Sequence, residues 1–286
     1  MTVRGSCLCS AVAWETDTPL EFMHHCHCGR CRKAHGASYA TVAMCDVGGF
    51  GFLRGREHIA RYASSSESQR AFCDRCGSVV PDDRHLWNRK VLLVTGTLDD
   101  HQAERPEFHI FTGSKAPWID IRDDLPAFEA FPPGIEASVE PDLPPRTPHT
   151  GATRGSCLCG GIAFEVTGEP VWSVHCHCTR CRKARGAAFA SNLVTRADGV
   201  QMLRGEDLMV SWKVPEARWF TTVFCRRCGG KVPRFCRERD LAIVPMGALD
   251  DAPAIRPQAH IFVGSKAPWD VVTDDLPQYE AQRPTA

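Results

Sequence analysis

The stretch His25-Cys-His-Cys-Gly-Arg-Cys-Arg-Lys-Ala34 decides how this chain is read, because Cys26, Cys28 and Cys31 are spaced to turn three sulfurs toward one point. It returns 150 positions later as His175-Cys-His-Cys-Thr-Arg-Cys-Arg-Lys-Ala184, carrying Cys176, Cys178 and Cys181. Working outward, Arg4-Gly-Ser-Cys-Leu-Cys9 recurs as Arg154-Gly-Ser-Cys-Leu-Cys159 at the same offset. The pair Cys73/Cys76 maps to Cys225/Cys228 at an offset of 152, and His109-Ile-Phe-Thr-Gly-Ser-Lys-Ala-Pro-Trp118 to His260-Ile-Phe-Val-Gly-Ser-Lys-Ala-Pro-Trp269 at 151. The chain is a tandem duplication whose small insertions fall between the motifs, in loops.

The length of 286 residues suits two units. Residues 132–152, with Pro132, Pro133, Pro141, Pro144, Pro145 and Pro148, read as an extended, semi-rigid linker. Domain one is therefore placed at 1–131 and domain two at 153–286. Inside each copy the apolar runs are short and often alternating, as at 11–15, 161–166, 91–95 and 208–212, which is the pattern of strands. Helix is expected only after the Cys-x-Cys-x-x-Cys cluster, as at 30–35, and in the acidic tails Asp123–Phe131 and Asp274–Ala281. The expected fold is mostly β with short helices, the cysteines sitting on tight turns.

Sixteen cysteines without an export-type N-terminus point to metal ligation in a reducing compartment, so the cytoplasm is expected. No apolar run approaches membrane-spanning length. Lys plus Arg equals Asp plus Glu at 34 each, and thiolates add negative charge, so the cationic field that a nucleic-acid binder needs is absent.

Two metal sites per copy follow from the spacing. Cys7, Cys9, Cys73 and Cys76, repeated as Cys157, Cys159, Cys225 and Cys228, give four thiolates; a glycine after each Cys-x-x-Cys, Gly77 and Gly229, allows the tight turn. Four thiolates close a Zn²⁺ sphere, and such a site is structural. Cys26, Cys28 and Cys31, with Cys176, Cys178 and Cys181, give three thiolates and no fourth cysteine common to both copies, since Cys45 aligns with Thr195 and Cys236 falls opposite Arg84 or His85. Three protein ligands leave a corner for water or substrate, the catalytic arrangement. A closed site completed by His25, His27 or His109 (His175, His177 or His260) stays open from the residues alone, as does an iron-sulfur cluster.

In order, Gly-Ser-Cys-Leu-Cys, Cys-His-Cys-x-x-Cys-Arg-Lys, Phe-Cys-x-x-Cys-Gly and His-Ile-Phe-x-Gly-Ser-Lys-Ala-Pro-Trp resemble the glutathione-dependent formaldehyde-activating enzyme family, also called the CENP-V/GFA domain, twice over nearly the whole chain. The resemblance implies two tandem β-tent domains with two Zn²⁺ each, four per chain. It also implies carbon-sulfur lyase chemistry at the three-thiolate ion: formation or cleavage of S-hydroxymethylglutathione, or of a related thiol-aldehyde adduct. The small-molecule partners would be a glutathione-like thiol and an aldehyde.

A non-catalytic, zinc-stabilised binding module is the competing reading; it requires four protein ligands at every ion and an exposed apolar patch. Arg30, Arg32, Lys33 and His35, and Arg180, Arg182, Lys183 and Arg185, either engage substrate carboxylates or solvate a short helix. Lys115 and Lys266 reach a substrate or cap a turn, Trp118 and Trp269 read as packing residues, and His109 and His260 as satisfied core histidines. Copy one has Val79-Val-Pro-Asp-Asp83 where copy two has Lys231-Val-Pro-Arg-Phe235, so one copy can be the working site and the other scaffold.

Overall fold

A computed structural model describes residues 2–99, 104–135 and 152–283. Most of the linker assigned to 132–152 therefore lies outside the described residues. Copy one contains β1 (Val3–Ser6), β2 (Ala13–Thr16), β3 (Glu21–Cys26), α1 (Gly29–His35), β4 (Ala40–Asp46), β5 (Phe50–Arg54), β6 (Ile59–Ala63), β7 (Gln69–Cys73), β8 (Val79–Val80), β9 (Lys90–Val94) and β10 (Phe108–Ile110). Copy two contains β11 (Thr153–Ser156), β12 (Ala163–Val166), β13 (Trp172–Cys176), α2 (Thr179–Arg185), β14 (Ala190–Arg196), β15 (Val200–Arg204), β16 (Met209–Lys213), β17 (Thr221–Cys225), β18 (Arg234–Cys236), β19 (Leu241–Pro245), β20 (His260–Ile261) and β21 (Gln278–Tyr279). The protein is mostly β, with single-turn 3₁₀ segments and, among the described residues, two short α-helices.

Each copy builds a central sheet that carries the three-cysteine motif. In copy one its order is β10-β3-β4-β9; in copy two β18 and β21 extend it to β18-β19-β14-β13-β20-β21. The central strand Ala40–Asp46 is small and apolar along nearly its whole length because neighbours flank it on both sides. β10 runs parallel to β3, which sets His109 beside His25 and Ile110 beside Cys26.

The helix after the cysteines forms as expected. Cys28 is its N-cap, its sulfur accepting from the Cys31 amide, and Gly36 ends it at φ 62°, a left-handed position that suits glycine. The same device recurs with Cys178 and Gly186.

The acidic tails expected to be helical are not. In copy one the His109 amide donates to Pro126 O, and His109 bridges Ala127 in parallel; in copy two β21 pairs with β20. Pro126 and Pro277 lack a donor and hold Leu125 and Leu276 extended. Asp123 and Asp274 instead accept from the Leu125 and Leu276 amides, a local turn that competes with helix.

The two copies interlock through reciprocal contacts. Trp269 and Ala267 pack into a core with Trp14, Met23 and Leu93 of copy one, while Trp118 and Ala116 pack with Phe164, Leu193 and Met246 of copy two. The Gly-Ser-Lys-Ala-Pro-Trp motif thus buries its tryptophan in the other copy, and Trp118 Nε1 donates to Ser38 Oγ at 2.8 Å. Lys33 Nζ reaches Ser156 O at 2.8 Å and Asp250 at 2.7 Å; reciprocally, Lys183 Nζ reaches Ser6 Oγ and Asp99. Arg182 donates to Gly96 O and Leu98 O, and His35 Nδ1 to Arg185 O.

The helix-solvating reading is corrected for Lys33, His35, Arg182 and Lys183: they join the copies, because α1 and α2 lie against the partner copy's loops, and His35 also lines a cavity in copy one.

A candidate active site in copy one

The cysteines come together as the spacing required. Cys7, Cys9, Cys73 and Cys76 form one group, and Cys157, Cys159, Cys225 and Cys228 its repeat; Cys26/Cys28/Cys31 and Cys176/Cys178/Cys181 form two trios. Sulfur-sulfur distances run 3.5 Å for Cys7–Cys9, 3.7 Å for Cys9–Cys73, 3.6 Å for Cys26–Cys28 and 3.8 Å for Cys159–Cys225. Thiolates at tetrahedral corners about 2.3 Å from one ion would stand roughly 3.8 Å apart, whereas a disulfide requires about 2.05 Å. The groups are metal-sized and are not cystines.

Local backbone aims these sulfurs. The Val12 amide donates to Cys7 Sγ at 3.3 Å and the Ile162 amide to Cys157 Sγ at 3.2 Å. Ser78 stands 3.3 Å from Cys76 Sγ. Such contacts orient ligands and moderate their charge. Hydrogen bonding to neighbouring sulfurs, then burial, pushes the Cys73 and Cys228 thiols well up, so the closed groups resist full ionisation until a cation offsets the charge.

Lys231 supplies part of that offset at the seam between the closed groups. It is fully buried, and its Nζ donates to Gly77 O and Gly229 O, the residues after Cys76 and Cys228. Burial, then Arg185, pulls it down to about 7, while Cys76 and Cys228 favour its charged form. Phe72 and Phe224 meet edge-to-face at 6.2 Å across the same seam.

No histidine nitrogen joins either trio among the described residues. His25 Nδ1 is engaged with Thr41 Oγ1 at 2.9 Å. His27 Nε2 and His109 Nδ1 share a hydrogen bond of 2.9 Å, and His109 Nε2 donates to Asp123 at 3.0 Å. The chain recurs as His177, His260 and Asp274, with 2.7 Å and 3.0 Å contacts. His109 and His260 are thus satisfied core histidines that pin His27 and His177, and with them the loops holding Cys26/Cys28 and Cys176/Cys178. Burial, then His109, lowers His27 to about 3, so it stays neutral. Asp123 and Asp274 were missed as members of this chain, although each follows its histidine by 14 residues in both copies. Lys115 and Lys266 tie turns, donating to Ile119 O and Asp270 O.

The trios differ in what surrounds them. A cavity of about 740 Å³ opens onto Cys26, Cys28 and Cys31. In copy two the hollow beside Cys181 is about 40 Å³. Three substitutions account for this. His35 is replaced by Arg185, whose guanidinium reaches Asn192 Oδ1 at 3.3 Å; Asp82 is replaced by Arg234, which donates to Trp219 O at 2.6 Å; and the serine-rich turn 64–68 is replaced by the longer 214–220, which buries Val214 and Ala217 and brings Phe220 to the hollow. β18 also pairs onto β19, where copy one runs as loop.

A guanidinium faces each trio from a different sequence position. Arg70 Nη2 lies 3.6 Å from Cys31 Sγ; burial opposes its charge, but Cys31, Cys28 and Cys26 raise its pKa on balance. Its counterpart Thr222 instead donates to Cys76 O, and Arg185 takes over in copy two. Arg70 escaped the sequence reading because nothing in its local pattern marks it.

Residues 2–114 and 152–265 each match the family described as glutathione-dependent formaldehyde-activating enzyme. This chain belongs to that family. A lyase described as uncharacterized, from Schizosaccharomyces pombe, is 27% identical over 77 residues, which span 27% of this chain and 54% of that protein. A crystal structure of a Rhodobacter sphaeroides protein aligns at 23% identity and a TM-score of 0.30, over 36% of this chain and 97% of that one. No helix among the described residues is long and apolar enough to cross a membrane.

Proposed function

We propose that this family member is a zinc-dependent carbon-sulfur lyase that forms or cleaves a thiol-aldehyde adduct, and that the reaction runs at Cys26, Cys28 and Cys31. The observation that carries the reading is the large cavity opening onto a three-thiolate group of metal-ligand dimensions. Cys176, Cys178 and Cys181, a second catalytic trio by spacing alone, hold an ion in this reading without room for a substrate. Cys7/Cys9/Cys73/Cys76 and Cys157/Cys159/Cys225/Cys228 are structural, which gives two Zn²⁺ per copy and four per chain. Thiols in these numbers suit a reducing compartment such as the cytoplasm.

A zinc ion with an open coordination position would supply Lewis acidity toward a thiol or carbonyl oxygen. The protein's part is positional. The Cys28 N-cap and the His27–His109–Asp123 chain fix the trio. Arg70 places positive charge beside Cys31. In the synthetic direction the substrate sulfur bonds to the carbonyl carbon, the C=O π pair moves to oxygen, and the proton lost from the thiol ends on that oxygen as the adduct hydroxyl. Cleavage is the reverse.

The non-catalytic alternative needs four protein ligands at each ion, a requirement the two trios do not meet among the described residues. The deciding experiment pairs elemental analysis of the purified chain with rates of adduct formation. The expected outcome is close to four zinc ions and a rate about 10-fold or more above buffer for at least one thiol-aldehyde pair. Equality with buffer for every pair tested would remove the enzymatic reading.

A further inference from the structure

The cavity walls bear on the kind of substrate admitted, an inference that rests on the copy-one trio being the reacting site. Phe108, Phe111 and Phe131 form one wall with Val42, Met44 and Leu92. Phe111 and Phe131 meet edge-to-face at 4.9 Å, and Phe108 stacks on His24 at 5.1 Å. At the mouth, Phe22 is 47% exposed and Trp87 41% exposed, although both are large apolar residues that folding would ordinarily cover. Phe22 is held there at φ 51°, at the register shift between Glu21 and His24 in β3. An aromatic residue in the left-handed region is strained, and the bulge re-aims its ring toward the cavity.

Charge around the cavity does not suit a dicarboxylate. Arg70 is engaged with Cys31, Lys90 with Glu21 at 3.0 Å, and Arg30 Nε donates to Ser64 O at 3.2 Å. Glu67 and Glu129 bring negative charge to the same lining, where Asp82 is paired with Arg61 at 2.9 Å. A tripeptide thiol with two carboxylates would leave charges facing apolar walls or acidic side chains, which is costly without partners. A one-carbon aldehyde would leave most of about 740 Å³ unfilled, a volume in the range that holds drug-sized ligands. The lining is also particular to this copy: at the positions of Val42, Phe108 and Phe131, copy two has Asn192, Ala259 and Gln282.

We propose that the copy-one cavity takes a thiol-aldehyde adduct, or its aldehyde, bearing an uncharged group of aromatic-ring size, with the reacting carbon and sulfur at the cysteine trio and the ring against Leu92, Phe108 and Phe131. The test uses the full-length, zinc-loaded chain and two readouts. Binding of 2-naphthaldehyde is followed by quenching of tryptophan emission. Turnover compares benzyl mercaptan plus benzaldehyde with glutathione plus formaldehyde. Expected are saturable binding with Kd below about 100 μM and kcat/KM about 10-fold or more higher for the aromatic pair. Leu92→Arg and Phe131→Gln, with unchanged zinc content and circular dichroism, should each weaken naphthaldehyde binding about 10-fold or more.

Naphthaldehyde that does not saturate below about 1 mM, or that binds both variants like wild type, overturns the proposal. So does glutathione-formaldehyde turnover equal to or above the aromatic pair, an outcome that leaves the lyase reading intact. Saturable, variant-sensitive binding with no turnover of either pair supports the ligand class and counts against the lyase reading.

Discussion

The two copies share all seven clustered cysteine positions and the helix cap, yet one trio faces a large cavity and the other is packed shut. The ligands are held by tight turns and amide-to-sulfur hydrogen bonds within each motif, so they survive divergence together. The walls come from segments distant in sequence, and replacing His35, Asp82 and the turn 64–68 by Arg185, Arg234 and 214–220 is enough to fill one of them. A coordination motif reports where an ion can sit and says little about whether anything can reach it. Copy two also does work that a lone domain would leave undone, since it buries Trp118 and pairs with Lys33.

The largest expected effect tests this division directly. Cys28→Ser should lower turnover about 100-fold or more, whereas Cys178→Ser should retain at least about a third of the wild-type rate, measured as initial rates of adduct formation at matched protein concentration. Equal losses from both variants would mean that the copies react alike. Next in size, Lys231→Met should destabilise the whole chain by about 3 kcal/mol in denaturant unfolding, because it leaves two buried carbonyls unpaired and removes the cation between the closed groups. A single cooperative loss is expected, since the copies share their cores; early melting of copy two alone would contradict the interlocked arrangement.

The smallest effect is one of pH. Burial, then Arg70, depresses His35 to about 3, below an unfolded value near 6.5. Between those values the unfolded chain binds the extra proton, so stability falls as pH drops below about 6.5. His35→Gln should make that slope shallower by about 1.4 kcal/mol per pH unit between roughly pH 5.5 and 4, read from urea midpoints. An unchanged slope would show that His35 is protonated in the fold and that its seat beside Arg185 O is not as described.

Much of the molecule was legible from its residues. The trios could be read because each motif is local, with the Cys28 and Cys178 turns carrying their own caps, and the four-cysteine groups because both of their distant pairs recur in the repeat. The strand pattern was legible for the same reason. The acidic tails misled because charge composition favours helix formation there, while Pro126 and Pro277 and the pairing of Asp123 and Asp274 with distant histidines hold the chain extended. The cations after each trio misled because a helix seven residues long gives no sign of which face meets a second copy.

The sequence by itself determined the donor set: fourteen cysteines in two repeated sets, at spacings that bring sulfurs together within each short motif, while the fold joins Cys7/Cys9 to Cys73/Cys76 and Cys157/Cys159 to Cys225/Cys228. Tertiary structure alone decided which trio is reachable, that Arg70 in one copy and Arg185 in the other supply the opposing charge, and that each copy's tryptophan completes its neighbour's core. The physical reason is range. Sulfur geometry within each Cys-x-Cys or Cys-x-x-Cys turn is set over a few bonds, whereas a cavity is the space left by side chains far apart in sequence, and replacing His35, Asp82 and the turn 64–68 is enough to close it.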